Sequence, residues 1–148
     1  MGTKDGEKTR GRDKLFTPEE LRDLFHQYEK HVKSTPVLVH DFVGKNGTDV
    51  LRQKERPLIY EGFELFVIDN TKAKGIDQYF TNQGGAYAEF LEVCSYIRKK
   101  CRVDQITGGM AGIYNPSITQ RLNNLTESTK QEHDGKIEVV FVDNKTIL

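Results

Sequence analysis

Lys45-Asn46-Gly47-Thr48 leaves this chain the fewest local choices. Asn-Gly is the strongest short turn dipeptide, because both residues tolerate the positive φ angles of tight hairpins. Val37, Val39, Phe42 and Val43 lead into it as strand formers, and Val50 and Leu51 begin the return. The pattern predicts a β-hairpin over residues 36–56. Its return strand stays charged through Arg52, Lys54, Glu55 and Arg56, so the hairpin cannot sit inside a buried sheet. It must project from a body or pack on a neighbouring subunit, since two lone strands are marginal in water.

That body reads as helical. Thr17-Pro18-Glu19-Glu20 starts a helix: Thr17 caps it, Pro18 fits the first helical position and Glu20 completes a capping box. Leu21, Leu24, Phe25, Tyr28 and Val32 follow at helical spacing, and Pro36 ends the helix near Ser34. A second helix is expected over residues 58–68, a break at Asp69-Asn70-Thr71, and a short helix over residues 71–81. Helix, break and short helix outline a helix-turn-helix over residues 58–81. A longer helix is expected over residues 86–107, interrupted by Gly108-Gly109, and a last one over residues 116–125. Residues 15–125 thus form a mainly α body with small β elements.

The ends differ from the body. Residues 1–14 are glycine and charge without periodicity and read as a flexible arm. Residues 126–135 read as a polar linker to a C-terminal strand within residues 136–148. That strand carries Ile137, Val139, Val140, Phe141 and Val142, apolar on both faces. Two solutions give it a partner. Copies of the chain can share it as an intersubunit β element, a common sheet or a closed barrel, or it can pair with the hairpin.

The chain offers no catalytic constellation. It has no P-loop, and Gly108-Gly109-Met110-Ala111-Gly112 lacks the preceding strand of a dinucleotide site. His26 and His31 are five apart, not the four of a zinc helix, and the carboxylates are scattered. The expectation is no enzyme, no cofactor and no metal. There is no signal peptide and no apolar run long enough for a bilayer, so no membrane partner is expected. Cys94 and Cys101, seven apart on one helix, would be about 10 Å apart and read as reduced, which suits the cytoplasm.

Recognition chemistry remains. The 22 basic and 22 acidic residues cancel, so any nucleic-acid case rests on local patches. Four groups could meet phosphate. They are the short helix (Lys72, Lys74), the hairpin (Lys45, Arg52, Lys54, Arg56), the arm (Lys8, Arg10, Arg12, Lys14) and the run Arg98-Lys99-Lys100 with Arg102, in that order of promise. Gln78 on the short helix could read base edges, as amides do.

The order of elements resembles the terminase small subunits of tailed double-stranded DNA phages, of the podovirus headful-packaging type. The matching stretches are Gly11-Arg12-Asp13-Lys14-Leu15-Phe16-Thr17-Pro18-Glu19-Glu20-Leu21, Gln27-Tyr28, Thr35-Pro36-Val37 with the hairpin, and Pro57-Leu58-Ile59-Tyr60-Glu61-Gly62-Phe63-Glu64-Leu65-Phe66. Relatives carry more basic residues than Lys72-Ala73-Lys74-Gly75-Ile76-Asp77-Gln78-Tyr79 in the second helix of the pair. The resemblance implies a ring of about eight to ten copies, in which repeated weak patches gain avidity. It implies recognition of the packaging-start site in viral DNA within the host cytoplasm. It also implies regulation of the large terminase subunit, which owns the ATPase and nuclease. The rival readings are a dimeric helix-turn-helix transcription regulator and a protein-interaction scaffold without nucleic acid.

Overall fold

A computed structural model describes residues 14–125. The first helix, α1 (Pro18–Ser34), begins as its sequence dictates. Thr17 Oγ1 accepts from the Glu20 N–H at 3.2 Å, and Glu20 Oε2 accepts from the Thr17 N–H at 2.8 Å. Such a cap contributes about 1 kcal/mol. Leu21, Phe25, Tyr28 and Val32 form the buried stripe of α1. The helix ends before Pro36, as expected.

The hairpin follows as β1 (Val37–Val43) and β2 (Thr48–Lys54), antiparallel, with register from Val37↔Lys54 to Val43↔Thr48. Its turn takes four residues, with positive φ at Gly44 and Gly47 rather than at Asn46. Gly47 N–H closes the turn onto Gly44 O at 3.2 Å. No strand residue is buried. Leu38, Phe42 and Leu51 share one face and stand in solvent, Phe42 at 70% exposure.

The second helix, α2 (Tyr60–Asn70), starts two residues later than expected because Ile59 is held extended. Tyr28 from α1 does the holding. Its hydroxyl donates to Ile59 O at 3.0 Å and accepts from the Ile59 N–H at 3.1 Å. Gly62 is needed here, because a Cβ would come within 2.5 Å of that oxygen.

The expected helix over residues 71–81 is corrected to α3 (Asp77–Phe80), a single turn. Local hydrogen bonds take the preceding backbone out of the helix. Thr71 Oγ1 donates to Val67 O at 2.7 Å and accepts from the Ala73 N–H at 3.1 Å, while Glu64 Oε1 accepts from the Ile76 N–H at 3.2 Å. Lys72 and Lys74 therefore stand on an anchored loop, not on a helix.

Two 3₁₀ turns, Gln83–Gly85 and Ala88–Phe90, replace the expected start of the long helix, α4 (Leu91–Met110). The expected break at Gly108-Gly109 is also corrected, for α4 runs through both glycines. They serve close approach instead. A Cβ on Gly108 would enter the Tyr114 ring, and one on Gly109 would lie 2.7 Å from Thr119 Cγ2. The last helix, α5 (Pro116–Leu122), is capped by Asn115 Oδ1, which accepts from the Ile118 N–H at 3.2 Å.

These helices enclose one aromatic core. Phe25 meets Phe63 edge-on with centroids 5.2 Å apart, and Tyr79 meets Phe90 at 4.6 Å. Cys94 and Cys101 are buried free thiols, and burial pushes both up to about 11. A polar knot ties the hairpin's exit to the body. Lys33 Nζ donates to Asp104 Oδ1 at 2.5 Å, to Tyr114 Oη at 2.9 Å and to Arg56 O at 3.1 Å, and pairs with Glu55 at 2.7 Å. Burial works against its charge, but the bonds to Asp104, Glu55 and Tyr114 outweigh it and raise its pKa. The expected C-terminal strand, Ile137, Val139, Val140, Phe141 and Val142, lies outside the described residues.

Candidate nucleic-acid interface

The α2–α3 loop is pinned from below. Ala73 and Ile76 are buried, and their neighbours Lys72 and Lys74 are consequently turned out. With Gln78, Gln83 and Tyr87 they line one open concavity of about 540 Å³. Two carboxylates share it, and both are engaged. Glu64 accepts from the Ile76 N–H, and Asp77 accepts from the Tyr60 hydroxyl at 2.6 Å. Burial and then the Asp77 contact raise the Tyr60 pKa. Lys72 and Lys74 have no ion-pair partner among the described residues. Gln78 donates through its amide to Gly75 O at 3.2 Å, so part of its hydrogen-bonding capacity is used.

Lys14 lies beside Tyr87, one of the residues that line the concavity. Its ammonium lies 5.6 Å from the Tyr87 ring centre and pairs with Glu89. That pairing holds the Glu89 carboxyl below its usual range. Tyr87 itself is half-buried, edge-on to Tyr79 at 4.8 Å. The sequence does not place Tyr87 and Gln83 beside Lys72 and Lys74, because Tyr87 reads there as part of a buried helix face. The signal was Gly84-Gly85: glycines with φ of 65° and 71° turn the chain there, away from a helix.

The hairpin cations are split. Arg52 Nε pairs with Asp41 at 2.7 Å, and Arg56 donates to Thr35 Oγ1 at 3.0 Å. Lys45 and Lys54 are exposed and have no ion-pair partner among the described residues. Lys54 lines a different groove, beside α5. Most of the Arg98–Arg102 run holds the fold together. Arg98 donates to Phe80 O at 3.2 Å, Lys100 pairs with Glu29 at 3.0 Å, and Arg102 donates to Asn123 O at 3.2 Å. Arg10 and Arg12 lie outside the described residues.

Among the described residues no group of His, Cys, Asp and Glu could hold a metal ion, and no helix is long and apolar enough to cross a membrane. Compared with known proteins, the chain matches no family model and no curated sequence. The site's chemistry is therefore read from its own residues: two ammonium groups without an ion-pair partner among the described residues, two carboxylates that each accept a hydrogen bond, amides and an aromatic ring in an open concavity. Within that set, the two ammonium groups are the ones with the chemistry to meet a phosphate backbone.

Proposed function

We propose that this chain is a non-catalytic DNA-packaging adaptor of the terminase small-subunit type. In this reading it assembles as a ring, binds double-stranded viral DNA at the packaging-start site, and recruits and regulates the large terminase subunit. The observation that carries the DNA-binding part is the convergence of Lys72, Lys74 and Gln78 on one concavity whose carboxylates are already engaged. The helix-turn-helix expected over residues 58–81 would then contact DNA through its loop. One copy presents few cations there, and a ring multiplies them through effective concentration. The dimeric regulator is the weaker reading, since a four-residue α3 gives no recognition helix long enough to follow a major groove.

The test is binding of the full chain to labelled duplex DNA over a salt series. We expect affinity to fall as salt rises. The double substitution Lys72→Glu with Lys74→Glu should weaken binding at least about tenfold and flatten the salt slope by about 2, because two phosphate contacts are lost. No binding at low salt would leave the scaffold reading in its place.

A further inference from the structure

α5 is packed inside out. It buries Thr119 and Asn123 against the body and turns Ile118 and Leu122 outward, at 57% and 67% exposure. A surface helix normally does the reverse. The outward pair joins Val37, Pro57, Ile59 and Ile113 around an apolar groove of about 370 Å³ between the hairpin base and α5. Apolar patches of this kind on a polar body mark a docking surface.

Three observations choose its occupant. The described residues end at Leu125, just past the helix that walls the groove. Residues 137–142 lie about twelve positions further on, a reach of up to ~40 Å. Read as a strand, they carry apolar residues on both faces, and a position between the groove of one copy and the body of another would cover both. Third, the rim offers a lysine and the segment a glutamate. Lys54 has no ion-pair partner among the described residues, Glu55 is turned to Lys33, and Glu138 is the only charged residue within residues 137–142.

We propose that residues 137–142 of one copy seat in the hairpin–α5 groove of the next copy, so that each chain completes its neighbour. Groove and segment are different surfaces, which makes the contact heterologous and able to close a ring. The proposal rests on the ring reading above and gives its intersubunit β element a specific seat. It also assigns Lys54 to the subunit contact instead of to DNA.

The experiment is oxidative cross-linking of the full chain carrying Ile118→Cys with Val140→Cys, beside each single variant, read on a non-reducing denaturing gel. We expect a ladder of linked chains in the double variant alone. A shifted monomer band would mean the segment seats in its own groove and would overturn exchange. A linked dimer from Val140→Cys alone would mean strands pair with each other and would overturn the seat. No linkage in a chain whose native mass is still that of a ring would also overturn the seat while leaving the adaptor reading standing. A monomeric or dimeric unsubstituted chain would remove the ring itself. As a second variant, Ile118→Asp with Leu122→Asp alters only outward side chains. It should keep the helical circular-dichroism spectrum and lower the native mass to that of one copy; an unchanged mass counts against the seat.

Discussion

Cys94 and Cys101 carry no chemistry in this reading, but they record what burial does to single residues. Desolvation pushes both thiols up to about 11 from an ordinary 9.0. The unfolded chain releases those protons first, so stability falls as pH rises above 9. Tyr28, Tyr60 and Tyr114, also raised by burial, add to the loss only from their ordinary 10.0. Lys33 is raised too, and its contribution is whole below 10.5. The window between pH 9 and 10 therefore belongs to the thiols. The melting temperature should decline across it, and less steeply in the Cys94→Ala, Cys101→Ala variant. Equal slopes would mean the thiols ionise as easily folded as unfolded.

At the scale of elements, the difference between α1 and α4 is instructive. Thr17, Pro18 and Glu20 act within one turn, so the start of α1 is legible from four consecutive residues. Gly108 and Gly109 look like a helix break because glycine costs about 1 kcal/mol in a helix. Their purpose appears only when Tyr114 and Thr119 fold back onto α4. Gly108→Ala should raise local helix propensity yet destabilise the protein by about 2 kcal/mol, because the methyl group collides with the Tyr114 ring. That ring cannot retreat cheaply, since its hydroxyl is held by Lys33 and by Asp104 at 3.2 Å. Urea unfolding measures this, and a stabilised variant would return the glycines to the role of a simple break. The α2–α3 loop follows the same logic: Glu64 and Thr71 take its backbone groups, and helical spacing in the sequence cannot reveal that.

For the molecule as a whole, the buried apolar cluster runs from Phe16 to Cys101. The described residues of the helical body thus share one core, whereas the apolar exterior at Leu38, Phe42, Leu51, Ile118 and Leu122 lacks cover among them. Deletion of residues 126–148 should leave a cooperative thermal transition and the helical spectrum, with the assembly reduced to smaller species. Loss of the transition would mean that the segment belongs to the fold and not to assembly.

What acts over a few residues is legible in the chain before it folds: the capped start and proline stop of α1, the hairpin with its glycine turn, and the mainly helical body. So is the set of basic residues that exist to be used, since charges are read directly. Which of them are available depends on the folded packing. Arg52 is taken by Asp41, Arg56 by Thr35, Lys100 by Glu29, and Arg98 and Arg102 by backbone carbonyls, while Lys72 and Lys74 meet Gln78 at one concavity. Lys33 and Asp104, 71 positions apart, and the inward turn of Thr119 on α5 were equally hidden. The reason is physical: caps, turns and periodicity depend on neighbours along the chain, whereas close packing and charge pairing depend on neighbours in space.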